Sequence, residues 1–324
     1  MAVLLVDRQR HLPVGIDVVC HRHHVFQITQ RYVDFRIAVV AAPAANRMST
    51  IGVVLDEDHL HSLADDLGRV PGVRAVALGG SRARGTHRPD SDIDLGLYVD
   101  AGVDRAAIAE AASGWTGEDV EIADRGGWGP WVDSGSWLTV DGAPVDLILR
   151  DVTRVEDQCA RAVRGEFAFH AQPGHPLGFL DVAYAGEVAT SVPLRDPDGI
   201  LVALARSVTP YPDALRAAFI ENLWQVDFLL NAATKGAKTG DVAYVALCGT
   251  TTAMLIAHAW HAVAGQWVTN EKGLVPNVAR LPIDTAGFSA AAAAVLGNIG
   301  TSPEQLLASV ARLRGLPRPA TPSN

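Results

Sequence analysis

Glycines and carboxylates stand close together in one segment of the chain. Gly79-Gly80-Ser81 follows an apolar run, and Asp92-Ile93-Asp94 opens another. Two carboxylates spaced two apart on a strand project from the same face. Because like charges so close repel, the pair is costly unless a cation lies between them. Oxygen ligands of this kind suit Mg²⁺, which takes a few carboxylates together with substrate phosphate oxygens.

The glycine segment has the features of a phosphate cradle. A strand that ends in Gly79-Gly80-Ser81 and opens a short helix lets the backbone at Gly80 approach a phosphate closely, with the helix N-terminus and the Ser81 hydroxyl supplying donors. Arg82 and Arg84 could add positive charge for a triphosphate, and the alternative is that one or both face solvent. The segment predicts a nucleotide phosphate site beside a metal site.

A third carboxylate is expected on a neighbouring strand. Asp146 stands inside the apolar run Val145 to Leu149, where an acid is expensive to bury without a partner. A cation held by Asp92 and Asp94 would be that partner. The three acids therefore predict a two-ion magnesium site, in which one ion activates the attacking hydroxyl and the other holds the triphosphate.

The elements that position these residues form an α+β chain. Strands are predicted at 73–78, 93–99, 120–123, 137–140 and 144–150, with helices at 55–67, 81–84 and 104–113. After residue 151 helical periodicity dominates, with helices predicted at 152–165, 197–208, 212–235, 241–264, 284–297 and 302–314. The predicted organisation is an N-terminal extension (1–47), a mixed-sheet domain (48–151), an all-helical bundle domain (152–316) and a flexible tail (317–324).

The spacing of Gly80-Ser81 and Asp92-Ile93-Asp94 closely resembles the signature of the DNA polymerase beta-like nucleotidyltransferase superfamily. The resemblance covers about residues 50–150. It implies a small mixed sheet flanked by helices, dependence on a divalent metal, and Asp92, Asp94 and Asp146 as the carboxylate triad. The motif is specific for the superfamily and carries no information on the acceptor.

The order of the domains looks like that of antibiotic nucleotidyltransferases, which modify aminoglycosides or lincosamides and carry a C-terminal helical domain. The segment from Lys235 to Tyr244 is similar to stretches in the helical domains of such relatives, which close over the nucleotide. Lys235 or Lys238 could reach the β- or γ-phosphate as a point charge, and a solvated loop between helices is an equal alternative. Lys272 is a weaker candidate.

A glycine- and tryptophan-rich stretch lies between the second and third acids, at residues 126–137. Trp128, Trp131 or Trp137 could stack on a base or cover an acceptor ring, and packing against the sheet edge is the slightly favoured alternative. The nearby acids could attract a cationic acceptor. They are Glu118, Asp119, Glu121, Asp124 and Asp133.

Histidines and cysteines offer weaker signals. His258 and His261 share a helical face, where a core role is favoured over a metal site, and the cluster of His21, His23 and His24 is more typical of a surface. The cysteines at 20, 159 and 248 are widely separated, which suggests neither a disulfide framework nor a zinc site. Met48 is a candidate natural start, which would make residues 1–47 a loose extension.

Composition limits the partners. The 324-residue chain is 48% hydrophobic with a net charge of −9, which argues against broad nucleic-acid binding. The N-terminus lacks the order of a signal peptide, and no apolar stretch is expected to have the length of a membrane span, so a soluble cytoplasmic protein is expected. The oligomeric state is not indicated.

The leading hypothesis is an ATP- or other NTP-using enzyme that transfers NMP to a hydroxyl of a small molecule. The alternatives are a toxin-like transferase acting on tRNA, which the acidic charge disfavours, a transferase acting on protein, and a catalytically inactive nucleotide-binding module.

Overall fold

The computed structural model describes residues 55–320, and the central feature of this part is a mixed sheet. The sheet has five strands in the order β3-β4-β2-β1-β7, and β5 pairs with β6 in a separate hairpin. The strands are β1 (Val73–Leu78), β2 (Ile93–Val99), β3 (Gly135–Val140), β4 (Ala143–Asp151), β5 (Phe169–Gln172), β6 (His175–Leu180) and β7 (Val192–Arg195). Only β2 and β4 run parallel, so β4 must be reached by a crossover through helix and loop.

Helices flank the sheet and then make up most of the chain after residue 151. They are α1 (Glu57–Leu67), α2 (Gly80–Ala83), α3 (Arg105–Thr116), α4 (Val152–Arg164), α5 (Ala183–Thr190), α6 (Ile200–Ser207), α7 (Asp213–Glu221), α8 (Trp224–Lys238), α9 (Val242–Val263), α10 (Leu274–Asn277), α11 (Phe288–Leu296) and α12 (Pro303–Arg314). The fold class is α+β, as the sequence predicted.

The two faces of the sheet have different environments. On β2, Ile93, Leu95 and Leu97 are fully buried in a core with α1 and α3. The alternate residues Asp94 and Gly96 lie on the opposite face, because successive strand side chains point to opposite sides. That second face is covered near β1 by a core that includes α4 and α5.

The predicted strand at residues 120–123 is wrong. The segment makes a single backbone bond to the sheet, from Ala123 N to Gly135 O (2.9 Å), and no ladder. The backbone of this segment forms local hydrogen bonds instead of pairing with a strand. The Ser113 hydroxyl accepts from Val120 N, and a turn begins at Asp124. The other four predicted strands are present, with ends within two residues of the prediction.

The region from 169 to 195 contains elements that the sequence did not predict. They are the β5–β6 hairpin, the short helix α5 and strand β7, which pairs with β1 and extends the sheet. Four-residue strands such as β5 and β7 are too short to show a clear alternating pattern. The predicted helix 212–235 is two helices, because the chain turns at Asn222-Leu223 between α7 and α8.

Helix α9 forms the centre of the helical core. It packs against α8, α11 and α12, and its buried residues include Ile256 and Ala257. By length and composition alone this 22-residue helix could cross a membrane, so the expectation that no stretch has that length was wrong here. More than half of its most apolar window is buried within the protein.

Cys159 and Cys248 are both buried and free. Burial raises the pKa of the Cys159 thiol to about 12, which makes it an unreactive core residue. Cys20, the His21, His23 and His24 cluster and the candidate start at Met48 lie outside the described residues.

Candidate active site

Two of the predicted carboxylates lie side by side on the open face of the sheet. Asp94 on β2 is the direct register partner of Asp146 on β4 in the parallel pair. Neighbouring strands are about 4.8 Å apart, so the two side chains project next to each other. On the other face of the same strands, Ile93 and Val145 are buried in the core.

Asp92 completes the group from just before β2. Its carboxylate is exposed, and its negative charge contributes to raising the pKa values of Asp94 and Asp146. The structure therefore brings the three predicted acids together at one end of β2. Their roles as catalytic and metal-binding residues remain a prediction.

The pKa values of the two inner acids reflect crowding of negative charge. Burial, reinforced by Asp92, raises the pKa of Asp94, while Arg84 and Arg82 oppose this effect. Burial raises the pKa of Asp146 to about 6, with further contributions from Asp94 and Asp92. Both anions are costly in the folded protein, so a cation between them would be stabilising.

The donor set fits Mg²⁺ better than a transition metal. Within residues 55–320, no three His, Cys, Asp or Glu side chains are gathered tightly enough to enclose an ion by themselves. Mg²⁺ does not require such a cage, because it keeps waters and binds through one or two carboxylates plus substrate phosphates. Asp94 and Asp146 supply that carboxylate pair, and Asp92 lies beside them.

The Gly79-Gly80 turn packs directly against Asp94. The Gly79 N–H donates to the Asp94 carbonyl oxygen (2.8 Å), which fixes the end of β1 to the start of β2. Gly80 has a φ of 60°, and a Cβ there would lie 1.6 Å from Oδ2 of Asp94. Only glycine allows this approach, which places the backbone at Gly80 and Ser81 beside the carboxylate.

The two predicted arginines have different positions. The Arg82 guanidinium donates to the carbonyl oxygens of Ser91 (2.8 Å) and Asp92 (3.3 Å), so it fastens the loop that precedes β2. Arg84 is exposed and donates to Oγ1 of Thr269 (3.3 Å), which follows α9. Arg84 thus reaches from the sheet to the helical region near the carboxylates.

Lys235 and Lys238 are not placed beside the carboxylates. They occupy the last turn of α8, next to Tyr244 at the start of α9. The site lies near the other end of α9, where Thr269 contacts Arg84. At 1.5 Å per residue, the helix from Tyr244 to Ala262 spans about 27 Å. The predicted phosphate contacts of both lysines are untested, and this position does not favour them.

Lys272 is better placed than either. It lies three residues after Thr269 in a turn ordered by a bond from its own N–H to Oδ1 of Asn270 (2.8 Å). Glu271 fixes the same turn by accepting from the N–H groups of Leu177 and Gly178. The sequence favoured this lysine less, because nothing local revealed that its turn follows the contact of Thr269 with Arg84.

A buried ion pair on the same face of the sheet as the site was not predicted. Arg150 of β4 donates through Nε and Nη2 to both carboxylate oxygens of Glu187 on α5, at 2.7 and 2.8 Å. Arg150 is only 5% exposed, and Glu187 also contributes to raising the pKa of Asp94. Arg150 is four residues after Asp146, so strand periodicity places it on the site face, but no sequence signal identifies Glu187 as its partner.

The tryptophans divide into two groups. Trp131 is folded inward, where it stacks on His170 and Phe179. Trp128 stacks on Trp137 with ring centroids 4.3 Å apart, at the β3 edge of the sheet. Of the acids near this stretch, Asp124 pairs with Arg105, and Asp133 pairs with Arg125 and Arg154.

His258 and His261 have the core roles that the sequence favoured. His258 is flanked by the rings of Phe169 and Phe219, and burial lowers its pKa to about 3. His261 lies against the carbonyl oxygen of Leu274, at 3.2 Å from Nε2.

The comparisons with known proteins identify the segment that contains this site. Residues 60–156 match the nucleotidyltransferase domain. This nucleotidyltransferase domain contains Gly80, Asp92, Asp94 and Asp146, so the match and the carboxylate geometry fall on the same residues.

A solved structure is also similar to the chain. It is a nucleotidyltransferase-like protein from Exiguobacterium sibiricum 255-15, with 10% identity, a TM-score of 0.40, and coverage of 80% of this chain and 73% of that chain. No curated protein matches the sequence.

Proposed function

We propose that the protein transfers NMP from an NTP to a hydroxyl group of a small-molecule acceptor, with dependence on a divalent metal and release of pyrophosphate. The observation that carries this proposal is the parallel register of Asp94 and Asp146 on an open sheet face beside the Gly79-Gly80 turn. The nucleotidyltransferase-domain match over the same residues supports it.

Different residues of the site bind the phosphates, hold the metal and accept the proton. The backbone at Gly80 and the Ser81 hydroxyl bind the phosphates, and Arg84 adds positive charge at the mouth of the site. Asp92, Asp94 and Asp146 would hold Mg²⁺, which when bound neutralises phosphate charge and polarises the reacting groups. Arg82 keeps the loop before Asp92 in place through its two carbonyl contacts.

The chemical step balances without an oxidant or reductant. The acceptor oxygen forms a bond to the α-phosphorus, the bond from that phosphorus to the bridging oxygen breaks, and pyrophosphate leaves with the electron pair. The hydroxyl proton passes to the carboxylate of Asp146, which lies at the acceptor side of the pair.

A small-molecule acceptor is favoured over nucleic acid by charge. The chain carries 36 acidic and 27 basic residues, and many arginines of the described part are paired with acids, among them Arg74, Arg105, Arg125 and Arg154. A groove that follows a nucleic-acid backbone needs clustered free cations.

The experiment offers α-phosphate-labelled NTPs, Mg²⁺ and either a panel of antibiotics and metabolites or total tRNA. Asp94→Asn tests the site, and Asp141→Asn is the matched control, because Asp141 lies in the exposed β3–β4 turn. Label on a small molecule that requires Asp94 supports the proposal. Label on tRNA contradicts the acceptor class, and NTP binding without any transfer favours an inactive nucleotide-binding module.

A further inference from the structure

We propose that Trp137, backed by Trp128, is the platform on which the ring of the acceptor lies, with the reacting hydroxyl directed at Asp146. This inference rests on the proposed function and names the residue that selects the acceptor. The class of acceptor is a saturated, hydroxylated ring.

The position of Trp137 follows from strand register. It is the direct partner of Asp146 in the antiparallel pair of β3 and β4, so both side chains lie on the same face. Cβ atoms of such partners are about 5 Å apart. Because Asp94 flanks Asp146 on its other side, the order across the open face is Asp94, Asp146, Trp137. The nucleotide phosphates and the platform thus lie on opposite sides of Asp146.

Trp128 covers one indole face of Trp137, and the residue is otherwise largely exposed. Trp128 stacks on it with an interplanar angle of 17°, yet Trp137 remains 60% exposed. Gly135 makes room for this pair, since a Cβ there would lie 2.8 Å from the Trp128 ring and 2.2 Å from the carbonyl oxygen of Leu147. A large exposed aromatic surface on a folded domain is a typical ligand contact.

The loop that carries Trp128 is anchored at several points. The Gln172 amide donates to the carbonyl oxygens of Trp128 (3.0 Å) and Val132 (3.3 Å) and accepts from Trp131 N (2.9 Å). Asp133, in the same loop, is paired with Arg125 and Arg154. Because the stack is ordered before a ligand arrives, little conformational entropy is lost on binding.

The ligand chemistry follows from the platform and its neighbour. A saturated ring can lay its C–H face on the indole while its hydroxyls extend sideways to Asp146. This stacking buries the apolar side of the ring against the indole. A nucleobase fits the position less well, because the ribose would separate it from the α-phosphate and from Asp146.

The test compares glucose with sorbitol, its open-chain polyol, as acceptors at equal concentration, using all four α-phosphate-labelled NTPs. The wild type should label glucose about tenfold faster than sorbitol, and Trp137→Ala should remove most of this preference. Trp137→Phe should keep much of it. Trp224→Ala is the matched control, because Trp224 is 65% exposed on α8 in the helical region.

The outcomes separate this inference from the function on which it rests. A wild type without ring preference, or a Trp137→Ala variant that retains it, overturns the platform. If Trp137→Ala raises the KM for the NTP as much as the KM for glucose, Trp137 is a nucleobase platform, which also overturns the proposal. Asp94-dependent release of NMP without ring transfer overturns the platform alone, whereas no Asp94-dependent cleavage of any NTP overturns both proposals.

Discussion

The sheet and the helical region hold their polar groups in different surroundings. On the sheet, Asp94 and Asp146 face each other across neighbouring strands, and burial raises the pKa values of both. In the helical region, Lys235 and Lys238 end a helix, and His258 is enclosed by aromatic rings. Crowded like charges are expensive and favour the binding of a cation, whereas the solvated lysines need no partner, and burial keeps His258 neutral although neither of its ring nitrogens has a hydrogen-bond partner.

The largest effect on the rate of transfer is expected at Asp94. Asp94→Asn removes a carboxylate from the centre of the group and should lower the transfer rate by about a thousandfold or more. Initial rates of pyrophosphate release measure this effect. Asp141→Asn should behave like the wild type, and equal losses in both variants would show that the effect is not specific to the site.

The ion pair that joins β4 to α5 should contribute to the stability of the fold. Glu187→Gln leaves the Arg150 guanidinium, 5% exposed, without its charged partner, and should cost about 2–4 kcal/mol of unfolding free energy. Urea denaturation measures it. Glu166→Gln, which breaks the exposed pair with Arg164, should leave the unfolding midpoint almost unchanged. Similar midpoints for both variants would mean that the buried pair does not hold α5 on the sheet.

The crowded acids should also make stability depend on pH. The folded pKa of Asp146, about 6, is above its ordinary value of 3.8, so the folded state binds more protons than the unfolded state between these values. This contribution is present below about pH 4 and is lost as the pH rises through about 6. Asp146→Asn should therefore stabilise the metal-free protein at pH 7 by about 1–2 kcal/mol, since solvent screens part of the carboxyl.

Thermal unfolding in EDTA from pH 4 to 7.5 measures the pH effect, with Asp141→Asn again as the control. A wild-type profile parallel to that of Asp146→Asn would contradict the raised pKa.

The smallest effects are expected for the lysines and concern the KM for the NTP. Lys272→Ala should raise KM for the NTP about threefold to tenfold, because its turn reaches the Arg84–Thr269 contact. Lys235→Ala should change KM by less than about twofold, given its place at the far end of α9. Steady-state kinetics at one salt concentration measures both. The reverse order would show that the helical region closes over the nucleotide in another arrangement.

Sequence patterns were informative where local spacing determines position. The positions of Asp94 on one strand and of Asp146 inside another were enough to predict that they lie near each other, and Asp92 lies just before the first of these strands. The Gly80 turn was predicted for the same reason, since a few adjacent residues fix its geometry. Asp146 was expected on a neighbouring strand, and the structure places it in direct register with Asp94.

Contacts between distant segments could not be predicted from local spacing. Glu187 meets Arg150, Thr269 meets Arg84, and β7 pairs with β1, across separations of 37 residues to more than 180. No local period encodes such partners. The failed strand at 120–123 shows the same limit, because a strand pattern forms a strand only where a neighbouring backbone is available.

We propose that this carboxylate face cleaves an NTP between its α- and β-phosphates. Phosphorus NMR of the protein with Mg²⁺, each NTP and the acceptor panel observes the cleaved bond directly. We expect pyrophosphate to appear with the wild type and not with Asp94→Asn. Release of orthophosphate and a nucleoside diphosphate, or equal pyrophosphate from both proteins, would contradict it.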